Sequence, residues 1–555
     1  MGRGRIVRRA LVAMFAAAVT GSLMAAPANA EPRKPDPQPT GGSVSGNGRE
    51  LSPAVDWGSC PKDVTAVAPQ LQCATVPVPM DYTKPNPTKI KIMISRLASQ
   101  KPAQRRGVLL LNPGGPGGAG LTQPADLATL GIPSSVLDSY DLIGMDPRGI
   151  GHSAPVSCGF TSDQDYRGNI PPYAADAAAV VKQAEAAEKV ADQCAAQDQQ
   201  RLMRNVTTAN TARDMDRIRI ALGEQKINYF GVSYGSALGA AYASMFAERT
   251  DRVLLDSNVG GTSFDRGATR RLGLGAEQRF GDFAEFAAAR DASYGLGRTP
   301  AKVRKNYFTL AKRLDRKSVA GIDGAYFRLS VFGGLYSDRQ FAPTAQLWQQ
   351  LASSDDAGVR RQLAEYPALR TPGLPSGSRQ KAKAGADLSP YDNAWSAFLA
   401  VSCNDSSWSD DLDSYQRDVA NDREQYPLFG AAGANISPCA FWHGRRAEPV
   451  QISDDGPSNV LLLQNLRDPA TPLIGGKMFR TAFGDRARLV TIDQGGHGAY
   501  VYNDNPCGLD IATRYLVDGK RPAKDTFCPA SQQSGLKLDR AGQQRRAEAL
   551  DRLGR

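Results

Sequence analysis

Ile227-Asn228-Tyr229-Phe230-Gly231-Val232-Ser233-Tyr234-Gly235-Ser236-Ala237-Leu238-Gly239-Ala240-Ala241 is the stretch whose reading decides the fold. Residues 227–230 form a short apolar run of strand type, and residues 236–246, rich in Ala and Gly, read as a helix of small side chains. Between them Gly231-Val232-Ser233-Tyr234-Gly235 has to turn the chain from strand to helix. So tight a turn crowds its flanking positions, hence glycine on each side of the serine, and it raises the serine hydroxyl above the sheet. The small helical residues then let that helix lie close to the strands. A bare G-x-S-x-G is weak in a chain with 55 glycines, so its position between strand and helix carries the reading.

Outward from this turn, strand-like runs occur at 90–94, 108–111, 140–145 and 253–255. A helical pattern spans 207–222, with Met215, Ile218 and Leu222 on one face. Strands alternating with helices predict an α/β fold with a mostly parallel sheet covered on both sides. The alternation stops at about residue 262 and resumes with apolar runs at 460–464 and 489–492. The expected architecture is an α/β-hydrolase fold with a largely helical cap inserted in the sheet domain. Its segments are 51–261 and 455–530 for the core, 262–454 for the cap and 531–555 for a basic tail.

A serine hydroxyl needs a base within hydrogen-bond reach to act as a nucleophile. The chain holds only three histidines, His152, His443 and His497. In this fold the base follows the last long strand, and His497 does so in Asp493-Gln494-Gly495-Gly496-His497-Gly498. The base in turn needs a carboxylate to hold its tautomer. Asp468, after the strand at 460–464, gives the order Ser, Asp, His; Asp256, ending the strand after the nucleophile helix, is the competitor.

Asn112-Pro113-Gly114-Gly115-Pro116-Gly117-Gly118 follows the strand at 108–111, where this fold places an oxyanion-hole donor. The amides of Gly115 and Tyr234 are the expected pair. Gly115-x-Gly117-x-x-Gly120 also matches a dinucleotide fingerprint, but Pro116 lacks an amide that a phosphate cradle would use, and no second nucleotide signal exists. No cofactor is expected.

These motifs, together with Asp146-Pro147-Arg148-Gly149-Ile150-Gly151-His152-Ser153 and Arg467-Asp468-Pro469-Ala470-Thr471-Pro472, occur in the order found in the secreted tripeptidyl aminopeptidases of actinomycetes. The chain resembles that family from about residue 55 to 528, most strongly at the motifs and less clearly in the cap. The resemblance, to relatives of the proline iminopeptidases, implies a serine exopeptidase releasing short peptides, typically of three residues, from a free amino terminus. It also points to Asp405, in Ser402-Cys403-Asn404-Asp405, as the carboxylate that receives the substrate's ammonium group, because a Cys-x-Asp stands there in related sequences. A carboxylesterase or lipase-like hydrolase on the same machinery is the alternative, since ester and amide hydrolases share elbow and oxyanion loop. A catalytically silent envelope-binding protein is disfavoured by the intact set of motifs.

Residues 1–30 combine Arg3, Arg5, Arg8 and Arg9, an apolar Ala-rich run and Ala28-Asn29-Ala30, the pattern of a secretory signal peptide. A Pro-, Gly- and Ser-rich lead-in or propeptide follows at 31–50. The net charge of +11 resides partly in that leader and in the tail, so the body is too weakly basic for a nucleic-acid footprint. No later run is long enough to span a membrane. The expectation is a secreted, extracellular enzyme acting on peptides with a free amino terminus. Eight cysteines suit export. Nearest-neighbour pairing of Cys60 with Cys73, Cys158 with Cys194, Cys403 with Cys439 and Cys507 with Cys528 is one of 105 connectivities. Without Cys-x-x-Cys and with so few histidines, no metal site is expected.

Overall fold

The apolar runs Gly107–Asn112, Tyr140–Met145 and Ile227–Val232 are buried at every position, as strands covered on both faces have to be. They lie at the centre of a ten-stranded sheet. In this computed structural model the described residues run from 55 to 552, apart from 85, 162–163, 165–169, 367–368, 370–388, 445–446 and 537. The expected leader at 1–30 and lead-in at 31–50 fall outside them.

The strands are β1 (Gly58–Ser59), β2 (Gln72–Pro79), β3 (Lys89–Leu97), β4 (Gly107–Asn112), β5 (Tyr140–Met145), β6 (Ile227–Val232), β7 (Thr250–Asp256), β8 (Val460–Arg467), β9 (Ala487–Gly495) and β10 (Thr526–Cys528). Their order across the sheet is β1-β2-β3-β5-β4-β6-β7-β8-β9-β10. The first three pair antiparallel, β3 meets β5 antiparallel, and from β5 to β10 every pairing is parallel. Strand β2 contains Pro77 and Pro79, which are tolerated where β1 pairs only at Gln72 and Cys73 and leaves the rest of β2 as an edge.

Two apolar layers sandwich the sheet. One includes Met215, Ile218, Leu238 and Ala241 from the helices Thr208–Ala221 and Tyr234–Met245. The other includes Leu127, Leu130 and Leu516 from Gln123–Leu130 and Pro506–Asp518. Between β7 and β8 the described chain is helical, beginning with Arg266–Ala288, and has its own core of Phe280, Phe283, Tyr307, Phe327 and Trp348. This cap has a second contributor. Helix Ala177–Gln197, which follows β5, packs Val180 and Ala184 against Tyr415 and Val419 of the cap helix Leu412–Gln425. The carboxyl of Asp392, on the cap helix Pro390–Asn404, accepts the Phe160 amide at 2.8 Å. The segment after β5 is thus split between core and cap.

Residues 540–552 form a helix rather than a free basic extension, with Ala549 and Leu550 buried against the second layer.

Candidate active site

The turn at Ser233 is as tight as its glycines require. A Cβ on Gly231 would lie 2.3 Å from the Gly235 carbonyl oxygen, and one on Gly235 would lie 2.7 Å from the Asn112 carbonyl oxygen. Ser233 itself has φ 62° and ψ −125°. An L-residue held in that region is strained by roughly 1–3 kcal/mol, a cost kept only where the surroundings over-determine it. Here they do: the Ser233 amide donates to the Asp256 carbonyl at 3.0 Å, and the Ser233 carbonyl accepts the Ser236 amide at 2.8 Å.

The loops after β8 and β9 bring Asp468 and His497 together. His497 Nδ1 lies 3.0 Å from each Asp468 oxygen, and both residues are buried. The carboxylate is further held by the Ala470 and Thr471 amides at 2.9 Å and by the Thr471 hydroxyl. Burial pushes Asp468 up, but the His497 ring, the Thr471 amide and the Ser257 hydroxyl outweigh it and hold the carboxyl below its ordinary value. An ionised carboxylate on Nδ1 fixes the tautomer in which Nε2 carries the lone pair that can take a proton.

Asp256, the competitor in sequence, has a different place. Its carboxyl accepts the amides of Ala499 and Tyr500, at 2.9 and 2.7 Å, just beyond His497. Ser257 accepts the Gly498 amide at 2.8 Å. Burial and the neighbouring Asp468 charge raise Asp256 to about 7 against the amides that favour its charged form. One residue therefore anchors the serine turn by its carbonyl and the histidine loop by its side chain.

The glycine loop after β4 is wedged between elbow and cap. A Cβ on Gly114 would lie 2.5 Å from the Val232 carbonyl and 2.9 Å from Ser233 Cβ. One on Gly117 would lie 2.5 Å from the Ala394 carbonyl of the cap helix Pro390–Asn404. Gly115 follows Gly114 in this loop, and the Cβ built on Gly114 would also lie 3.3 Å from the Tyr234 amide nitrogen. At the far end of the loop the Asp146 carboxyl accepts the Gly120 amide at 2.9 Å, so an acid occupies a donor that a dinucleotide phosphate would need. Arg148, from the same motif, is fully buried and paired with Asp214, with 2.6 Å between Nη2 and Oδ1. The motif's work is structural. The His152 ring faces Asp63 and the His443 ring faces Asp192, so the carboxylate against each of these imidazoles is not Asp468.

The cap touches the histidine and acid loops directly. The His497 amide donates to the Tyr336 carbonyl at 2.8 Å, and the Tyr336 ring meets the imidazole edge-on at 5.2 Å. Asp282 of helix Arg266–Ala288 pairs with Arg467 at 2.9 Å, and Gly275 of that helix approaches Pro469 so closely that a Cβ would lie 2.1 Å from its carbonyl oxygen. Nothing in the sequence pattern marks Tyr336.

Asp405, the expected ammonium anchor, is held inside the protein by Thr208. It is 4% exposed, and its oxygens accept the Thr208 amide at 2.9 Å and the Thr208 hydroxyl at 2.5 Å. That hydroxyl also meets the Tyr234 hydroxyl at 2.5 Å. Asp405 thus braces, through Thr208, the residue after the serine, and burial raises its carboxyl to about 7. The four bridges are Cys60–Cys73, Cys158–Cys194, Cys403–Cys439 and Cys507–Cys528. Among the described residues no group of His, Cys, Asp and Glu is disposed to hold a metal, and no helix is long and apolar enough to cross a membrane.

A central parallel sheet with a serine elbow after β6, a carboxylate after β8 and a histidine after β9 defines a serine hydrolase of the α/β-hydrolase class. Within that class the chain belongs to the tripeptidyl aminopeptidase family. It is 32% identical over 533 residues to a tripeptidyl aminopeptidase of Streptomyces lividans, covering 95% of this chain and 96% of the relative. The family model described as TAP-like protein matches residues 426–528, which contain Asp468 and His497. Serine protease Hip1 of Mycobacterium tuberculosis is 27% identical, covering 86% of this chain and 92% of the relative. A carboxylesterase B of the same organism is 29% identical, covering 86% and 90%.

Proposed function

We propose that the protein is a secreted serine aminopeptidase that releases short peptides, tripeptides among them, from free amino termini through an acyl-enzyme. The observation that carries the chemistry is the buried His497 ring fixed at 3.0 Å by both oxygens of Asp468, in a loop anchored to the serine turn by Asp256. In this reading Ser233 attacks the scissile carbonyl and His497 takes its proton. Asp468 stabilises the imidazolium, and the amides of Gly115 and Tyr234 receive the oxyanion. His497 then protonates the leaving amine, and water attacks the acyl-enzyme with His497 again as base. The relatives' names support the peptidase assignment and the tripeptide product. The Ala-rich leader and four disulfides support export.

A second reading, a carboxylesterase, is favoured by the relative of that name. A panel of tripeptidyl, dipeptidyl and acetyl-blocked chromogenic amides beside acyl esters separates the two. The proposal expects the free tripeptidyl amide to be turned over with the highest kcat/KM and a fluorophosphonate to label Ser233. Ester hydrolysis without cleavage of any free peptidyl amide would establish the second reading; labelling that survives Ser233→Ala would overturn both.

A further inference from the structure

The helix Arg540–Arg552 has no part in the chemistry above, yet its Arg546 reaches both the end of the helix Gln123–Leu130 and the loop that begins at His497. Arg546 Nε donates to the Leu130 carbonyl at 3.1 Å, and Leu130 ends the helix that follows the glycine loop. Arg546 Nη2 donates to the carbonyls of Val501 and Tyr502 at 2.9 and 3.0 Å, and these residues close the loop that begins at His497. On the cap side, Arg339 donates to the Ala547 carbonyl of the same helix at 3.3 Å. Ala549 and Leu550 are buried beside Leu127, Leu130 and Val501, and Leu538 packs against Gly131.

The histidine loop needs such a hold. Val501 has φ 56°, a conformation that a β-branched residue adopts only under constraint. Asp256 fixes the loop upstream, at the Ala499 and Tyr500 amides. Downstream, the carbonyls of Val501 and Tyr502 meet the Arg546 guanidinium, whose planar fork spans several acceptors at once, as a lysine ammonium would not. The strained turn is thus clamped between a carboxyl on its amides and a guanidinium on its carbonyls.

We infer that Arg546 is a positioning residue for His497, and that the carboxy-terminal helix is a working part of the active site. The inference rests on the reading of Ser233 and His497 as nucleophile and base. Displacing a catalytic group by about 1 Å costs on the order of 100-fold in rate.

The test uses full-length Arg546→Gln, Arg546→Lys and Arg546→Ala, with Arg545→Gln removing the same charge from the exposed neighbouring position. Substrates are p-nitrophenyl acetate, which needs no peptide subsites, and a tripeptidyl p-nitroanilide; fluorophosphonate labelling counts competent sites. The expected result is a fall in kcat of roughly 10- to 100-fold on both substrates with KM within about threefold. Lysine should restore little, free guanidinium should partly rescue Arg546→Ala, and Arg545→Gln should match the wild type. Equal losses in Arg545→Gln and Arg546→Gln, or kcat per labelled site unchanged in the Arg546 variants, would overturn the inference. Should the wild type not label at Ser233, the underlying assignment falls first and takes this one with it.

Discussion

Replacing Asp405 by Asn distinguishes a substrate anchor from a buried brace. The Asp405 carboxyl accepts two hydrogen bonds from Thr208 and titrates at about 7 because burial disfavours its charge. In the unfolded chain the same group titrates near the ordinary aspartate value of about 3.9. Between those values the native state binds a proton that the unfolded state has lost, so this group's contribution to stability falls as pH rises through that window and is gone above about 7. From pH 5 to pH 8 the penalty from this one group amounts to about 2–3 kcal/mol. Asparagine fits the site without it: its oxygen accepts the Thr208 amide, and its NH₂ donates to the Thr208 hydroxyl, which donates on to Tyr234. The expected outcome of urea unfolding is that Asp405→Asn, relative to wild type, gains about 2–3 kcal/mol on going from pH 5 to pH 8. The ratio of kcat/KM for free against acetylated tripeptides should stay at the wild-type value. A stability difference that does not change with pH would refute the buried-proton argument. A KM that rises only for free amino termini would return Asp405 to the substrate.

Asp468→Asn should lower kcat by about 10⁴-fold, whereas Asp256→Asn, which only loosens the histidine loop, should cost roughly tenfold; steady-state rates on an acyl ester decide, and the reverse order would exchange their roles. Gly114→Ala forces a side chain into the Val232 carbonyl at φ 96°, so it should destabilise by about 1–3 kcal/mol and cut kcat by on the order of 100-fold, read from urea midpoints and rates on the same sample. Breaking the Cys507–Cys528 bridge by serine replacement should cost about 2–4 kcal/mol in the same unfolding assay, with the other three pairs still oxidised on a non-reducing peptide map.

The elbow was legible because its constraints are local: the two glycines, the serine and the small helix are neighbours in the chain. His497 and Asp468 could be read from their positions just after strands, since this fold collects such loops at one end of its sheet. The choice between Asp468 and Asp256 was not local. Both end strands of the same kind, and what separates them is which carboxyl lies against Nδ1 and which against the amides beyond it. The setting of Asp405 was not legible because its partner, Thr208, stands 197 residues away, beyond the reach of any periodicity. Strand β10 has only three residues and no pattern of its own. The closing helix read as a basic tail because its charged face dominates the composition, while its anchoring depends on a few inward residues such as Arg546, Ala549 and Leu550.

The carbonyl of Tyr336 gives the cap a hold on the base that has consequences for engineering. Caps of α/β-hydrolases invite treatment as exchangeable modules, to be transplanted between relatives to change substrate range. In this protein the donor cap would have to bring more than a new pocket. It would need a backbone acceptor opposite the His497 amide, a carboxylate opposite Arg467 and a glycine where helix Arg266–Ala288 touches Pro469. A graft chosen for its specificity residues alone would bind the new substrate and turn it over poorly, its defect lying in kcat. Recombination breakpoints drawn at the ends of β7 and β8 would cut between parts that touch across the cap boundary, so library design should carry residues 336, 282 and 275 together with the loops they face.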